Sequence, residues 1–278
     1  MTTATLTSVT TDRTGWKVTG RRVLRSEWSK FWSLRSSWIT LVAAVAVLIA
    51  FGVIAAAVYR APSDGTGSGS GSGSGTTMDA VGLALTGTSI TGLIVGVLGV
   101  LMSAGEYGTG MVRSTYAAVP RRWLVLASKS VVTGALVLAL STLGALISFG
   151  LGKAGLHGED IALALGDAGV PRSLAGAGVH LALFAVLGVA LGSLIRSTSG
   201  SIAALVGIVM LLPGLAAVLP GDLQDSLDPY FPGNAGAAIH ALHRAPDTLS
   251  PGAGLVVFTT WVALALAAAV IRLRRTDV

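Results

Sequence analysis

Six apolar runs alternate with polar stretches along the chain, at residues 38–58, 81–102, 124–151, 174–195, 202–219 and 255–271. A helix rising about 1.5 Å per residue needs roughly twenty apolar residues to cross the hydrocarbon of a bilayer. The pattern therefore predicts an all-α polytopic membrane protein with six transmembrane helices. The third run is long enough to tilt or to extend past the bilayer. Gly92 and Gly96 in the second run, and Gly188 and Gly192 in the fourth, stand at i, i+4. That spacing lets helix backbones approach closely, so these four glycines are predicted packing positions. Pro213-Gly214 predicts a kink near the outer end of the fifth span.

The stretches between the runs differ in character. Residues 1–20 are Thr-rich and lack periodicity, which reads as a flexible tail ahead of a single membrane domain at 21–278. At 21–35, Leu24, Trp28, Phe31 and Trp32 recur at helical spacing, with Arg22, Arg25, Ser26, Ser29, Lys30 and Ser33 on the other face. A basic amphipathic helix carrying two tryptophans is the pattern of a helix lying in the membrane interface. The outer loop 60–77 contains an unbroken Gly/Ser alternation at 67–75, the composition of a flexible coil. Loop 220–254 is long and mixed, and its PYFPGNAGAAIHAL segment is too apolar to be fully solvated.

The hydrophilic stretch 106–122, EYGTGMVRSTYAAVPRR, lies within loop 103–123. Met111, Val112, Tyr116 and Val119 recur near helical spacing, Thr109 is placed to cap the start, and Pro120 to stop it. This predicts a short amphipathic helix outside the membrane, one that ties two spans together or serves as a handle for a soluble protein. A solvated turn is the simpler alternative, since Gly108, Gly110 and Pro120 are ordinary turn residues. Glu106 sits where the second span leaves the bilayer and requires water or a cation such as Arg113 or Lys129.

Charge sets the expected orientation. Hydrophobic residues make up 52% and charged residues only 12% of the chain, with a net charge of +6 and a mean hydropathy of +0.75. With the amino terminus inside, fifteen of the 19 Lys and Arg fall in cytoplasmic segments, including Arg121, Arg122, Arg272, Arg274 and Arg275. Nine of the 13 acidic residues fall outside. The positive-inside bias therefore places both termini in the cytoplasm. This distribution directs the basic character toward membrane lipids rather than nucleic acid.

Little else in the sequence points to chemistry. There is no cysteine, and no G-x-x-x-x-G-K-[ST] phosphate loop. No span core contains Asp, Glu, Lys or Arg, if Lys129 is counted with the loop before it. That disfavours an ion-coupled carrier. His180 reads as a packed residue near the outer end of the fourth span. His157, His240 and His243 lie in outer loops without a nucleophile motif, and His240 with His243 at i, i+3 is a minor metal-ligand alternative. No catalytic, cofactor-binding or metal residues are expected, and an integral membrane enzyme is disfavoured.

Four segments in order, LRSEWSKFWSLRSSWITL, EYGTGMVRSTYAAVPRRWLVLASK, LGSLIRSTSGSIA and YFPGNAGAA, resemble the membrane subunit of ABC-2 type exporters. The likeness covers nearly the whole chain from Arg21 onward. It implies a permease in the bacterial plasma membrane, without its own ATPase site, with ATP bound by a separate cytoplasmic subunit. A second copy of this or a related permease would complete the exporter. The 21–35 helix would run along the inner leaflet. Stretch 106–122 would hold the coupling helix that docks on the ATP-binding subunit, through Glu106, Val112, Arg113, Tyr116, Pro120 and Arg121. Loop 220–254 would form short helices at the outer mouth. Drugs, antibiotics, lipids and peptides all fit as amphiphilic cargo. A different class, a membrane scaffold, immunity or sensory partner using the same basic loop, fits the residues without the resemblance.

Overall fold

The computed structural model describes residues 19–59, 79–119, 121–155, 161, 163–218, 220–244 and 247–275. Nearly all of tail 1–20, the whole of loop 60–77, and Pro120, His157, Glu159 and Asp160 lie outside the described residues. Among those described there is no strand, and six helices are long and apolar enough to cross a membrane: Arg35–Val58, Ala80–Gly108, Arg122–Lys153, Val170–Ile195, Thr198–Ala216 and Pro251–Arg275.

Helix α1 (Gly20–Ser33) runs into α2 (Arg35–Val58) through one extended residue, Leu34. The second span is interrupted. A short α3 (Ala80–Ala84), capped by Asp79 accepting from the Gly82 amide at 2.6 Å, is followed by a turn and then α4 (Thr88–Gly108). Backbone amides of Thr86 and Thr88 donate to the Leu83 and Leu85 carbonyls across the turn, and the Thr86 hydroxyl, donating to Gly82 and Leu83, and the Thr88 hydroxyl, donating to Leu85, reinforce it, so the break is satisfied locally. Gly87 lets this turn lie against α2, where an added Cβ would sit 3.0 Å from the Phe51 side chain.

Helices α5 (Met111–Ala118) and α6 (Arg122–Gly155) follow, then α7 (Val170–Ile195). The fifth span is three pieces: α8 (Thr198–Val206), a π turn at Gly207–Leu211, and α9 (Leu212–Ala216). The sequence placed the irregularity at Pro213-Gly214. The structure places the widened turn just before it, where a π turn accommodates a proline that cannot donate its own backbone bond. Loop 220–254 is largely folded, as α10 (Gly221–Leu227), a 3-10 turn at Asp228–Tyr230, and α11 (Pro232–His240), before α12 (Pro251–Arg275) closes the bundle.

The core is built around α4 against α7. Their contact is a seam of small residues. A Cβ on Gly188 would collide with the Gly96 carbonyl, one on Gly99 with the Ala185 carbonyl, and one on Gly192 would lie 2.9 Å from the Ser103 Cβ. Gly92 lies under the Phe184 ring, and Gly96 also faces Leu205 of α8. At the end nearest α5, Ser103 and Ser193 hydroxyls share a 2.6 Å hydrogen bond across the seam. Helix α6 packs on α7, α2 on α6, and α11 and α12 on α7.

Candidate functional site

The stretch 106–122 holds a helix of two turns. Gly110 opens it with φ of +72°, a left-handed conformation that glycine adopts without a Cβ clash. Thr109 does not cap α5. Its hydroxyl donates backward to the Gly105 carbonyl at 3.1 Å and so finishes α4. Helix α5 therefore hangs from the end of α4 by a fixed bend rather than a free linker.

The expected contact face of α5 is turned inward. Val112 is 4% exposed. Tyr116 is partly buried, with its hydroxyl 3.3 Å from that of Tyr107. Burial, and then the bond to Tyr107, pushes the Tyr116 phenol above its ordinary pKa. Val112 thus seats α5 against the bundle, and Tyr116 keeps part of its surface exposed. The outward face consists of Met111, Arg113, Ser114, Ala117 and Ala118, with Arg121 exposed just beyond.

What α5 leans on is a closed ring of four charges, three of them buried and Lys30 half-buried. Lys30 Nζ lies 3.0 Å from Glu27 Oε1 and 3.1 Å from Glu106 Oε1. Lys129 Nζ lies 2.8 Å from Glu106 Oε1 and 2.9 Å from Glu27 Oε2. The last contact is close enough for ion pairing, although Glu27 Oε2 is off the line of a hydrogen bond. Each charge thus has two neighbours of opposite sign, and the ring is neutral. Lys129 also donates to the Met102 carbonyl at 2.9 Å, and Lys30 reaches the Thr115 hydroxyl of α5 at 3.5 Å. The ring joins α1, α4 and α6 directly, and α5 through Thr115.

Its members are withdrawn from water: Glu27 is 2% and Lys129 4% exposed. Each buried ion loses several kcal/mol of hydration, which is recovered only with close partners on every side. For Lys30, burial opposes the charge, but Glu27 and Glu106 outweigh it and its pKa is raised. Of the two cations expected near Glu106, Lys129 is its partner and Arg113 is exposed elsewhere on α5. Lys129 lies inside an apolar span helix, so counting it with the preceding loop understated the charge within the bundle.

Glu27 escaped the sequence reading. The helical face assigned to α1 was Leu24, Trp28, Phe31 and Trp32. The buried positions are instead Val23, Glu27 and Phe31, with Leu24 half-buried and Trp28 and Trp32 exposed. The signal was present, since Glu27 is the sole carboxylate among Arg21, Arg22, Arg25, Lys30 and Arg35. The two exposed tryptophans cluster with Trp38, whose ring lies 4.2 Å from that of Trp32.

At the opposite end, α11 is fastened over α7 and α12. Arg172 donates to the Ala241 carbonyl at 2.8 Å, and Trp261 Nε1 to that of Tyr230 at 3.0 Å. His180 packs on Gly236 and stacks with His240 at 5.2 Å between ring centres. His243 instead meets Asp79, 3.1 Å away. The two loop histidines thus have separate neighbours and do not converge on a metal. No cluster of three or more metal-ligating side chains occurs among the described residues. Comparison with models of known families finds no match, and none of the curated proteins matches the chain.

Proposed function

We propose that this chain is the membrane-spanning subunit of an exporter driven by a separate ATP-binding protein, which engages α5 at the cytoplasmic face of a bacterial plasma membrane. The observation that carries this reading is the attachment of α5. A short helix with an exposed, mildly basic face is joined by a fixed bend to α4, braced through Thr115 and Lys30 on a buried ion ring, and continued into α6. A displacement of α5 is therefore transmitted to α1, α4 and α6 together. Such a transmission is of use to a protein whose spans are moved by something soluble.

In this arrangement the partner touches Met111, Arg113, Ser114, Ala117 and Arg121, while Val112 and Tyr116 seat the helix. The charge distribution puts the ring end and both termini inside, and α1 at the interface with Trp28 and Trp32 among lipid headgroups. Two copies, each with an ATP-binding subunit, form the working unit, and the cargo is an amphiphile. Co-expression with candidate ATP-binding proteins of the same cell tests the reading. Wild type is expected to co-purify with one of them and to stimulate its ATP hydrolysis. Ala117→Asp is expected to weaken the association while leaving the permease folded. A permease that neither binds nor stimulates any of these ATPases refutes the proposal.

A further inference from the structure

Two residues join α7 to α8, the first piece of the fifth span. Arg196 ends α7 with φ of +63°, the one described non-glycine residue in the left-handed region, and Ser197 is extended. Glycine is the usual residue at such a helix end, and a side chain there strains the backbone. The turn itself does not need an arginine. The Arg196 amide donates to the Gly192 carbonyl at 3.0 Å, and the Ser201 hydroxyl ties the start of α8 back to the Leu191 and Ser197 carbonyls. A glycine at 196 would make the same backbone bond without the strain. Arg272 of α12 donates to the Leu194 carbonyl, so the α7 side of the junction is fastened by a neighbouring helix. The fifth span beyond the junction is the least buried of the six.

What the arginine side chain does is reach α4. The guanidinium stands over the Tyr107 ring, 5.5 Å from its centre, an attraction between a cation and an aromatic face. Its Nε and Nη2 atoms are shielded and meet no acceptor among the described residues, so the ring is what holds it. The Tyr107 hydroxyl in turn lies 3.3 Å from that of Tyr116 on α5. Arg196 acts on Tyr116 as well: burial and then the Tyr107 bond raise that phenol's pKa, and the arginine is the group that pulls it down. Strain at Arg196 and its attraction to Tyr107 are of the same order, so a displaced ring leaves a strained junction with nothing to maintain it. We propose that Arg196 is a catch between α5 and the fifth span: seated on Tyr107 it fixes the angle between α7 and α8, and a movement of α5 passed through Tyr116 to Tyr107 unseats it and lets the fifth span turn. That an ATP-binding protein supplies this movement rests on the function proposed above; the catch is a property of this chain alone.

The test uses purified full-length protein in detergent, without any ATPase, so its failure and that of the transport reading are told apart. Cysteines replacing Leu143 of α6 and Leu215 of the fifth span, both exposed, are spin-labelled in a chain that has no other cysteine, and their separation is read by pulsed electron paramagnetic resonance. Arg196→Gly is expected to be at least as heat-stable as the labelled parent and to raise the population of a second separation about two- to fivefold. Tyr107→Leu is expected to raise the same population, and the double variant no more than Arg196→Gly alone. Tyr107→Phe keeps the ring and is expected to match the parent. Val112→Asp unseats α5 and is expected to raise the second population in the parent but not in Tyr107→Phe, which lacks the hydroxyl that meets Tyr116. An unchanged distribution in Arg196→Gly overturns the catch. A shift in Arg196→Gly that is absent from Tyr107→Leu means that backbone strain alone sets the angle, and overturns the role of the ring. A Val112→Asp effect equal in the parent and in Tyr107→Phe overturns the link to α5.

Discussion

Removing one member of the ion ring leaves its partners charged and buried, and the structure sets the size of that effect. Lys129 faces both Glu27 and Glu106 and is 4% exposed. Lys129→Met therefore leaves two carboxylates with only Lys30 between them. Stranding a buried charge costs about 3–5 kcal/mol, which for a chain of this size corresponds to an apparent Tm lower by about 6–10 °C. Glu27→Gln is expected to fall in the same range, because it leaves two cations around Glu106. The double variant Glu27→Gln/Lys129→Met removes one charge of each sign and restores neutrality. It is expected to be less destabilised than the sum of the two single changes by about 1–3 kcal/mol. Arg25→Gln, on the exposed face of α1, is the control and should stay within about 0.5 kcal/mol of wild type. Thermal unfolding in one detergent, with loss of the monodisperse peak as readout, measures all four. If Glu27→Gln and Lys129→Met add without coupling, the four charges do not act as a ring, and the bracing of α5 loses its basis.

Three further outcomes follow from other parts of the molecule. Gly188→Ala, whose Cβ would strike the Gly96 carbonyl, and Gly96→Leu or Gly192→Leu should sharply lower the yield of folded protein, whereas Gly105→Ala, with open space around it, should be tolerated; normal yield of the seam variants removes the close-packing claim. His240 is pushed down to about 4 by burial, with a backbone hydrogen bond pulling the other way, so the unfolded chain takes up the proton first and stability should fall as pH drops from 6.5 toward 4, by at most about 3 kcal/mol; a His240→Gln variant with an unchanged acid limb in thermal melts rejects this. Single cysteines, placed in a chain that has none, should be labelled by an impermeant maleimide in whole cells at Asp225 and not at Arg121 or Arg274; the reverse pattern overturns the assigned orientation.

The six spans were legible because length and hydropathy alone determine them. The interruptions were legible only in part. Pro213 announced an irregularity but not that a π turn would absorb it, and nothing in TGTS at 86–89 requires the second span to break against α2. The glycine spacing named Gly92, Gly96, Gly188 and Gly192 but not which helices meet, and the seam also uses Gly99, which lies off the i, i+4 pattern. Glu106 with Lys129 was legible as a charge needing a partner. Glu27 was not, because a helical wheel treats a carboxylate as a solvent-facing residue unless the charges opposite it are known. On α5, Val112 packs against the protein's own apolar surface while Met111, Arg113 and Arg121 face outward, a division that the spacing alone does not fix.

Placed together, the ring and the seam divide the bundle by stiffness. Helix α4 is held at one end by charges shared with α1 and α6, and along its length by backbone-to-backbone contact with α7. Helix α7 in turn carries α11 through the close approach of Gly176 to the Ile239 carbonyl and of Arg172 to the end of that helix. An unbroken path of short contacts therefore runs from α5 through α4 and α7 to α11 at the opposite face. The fifth span lies outside that path. It packs lightly, contains the π turn, and exposes Met210, Leu211 and Leu215. A side chain can slide or rotate across an apolar surface at little cost, whereas the α4–α7 seam brings backbones so close that a Cβ at Gly99 or Gly188 would meet a carbonyl, and is the more closely packed contact. Movement imposed at α5 is thus expected to carry α4, α7 and α11 as one body and to be taken up at the fifth span.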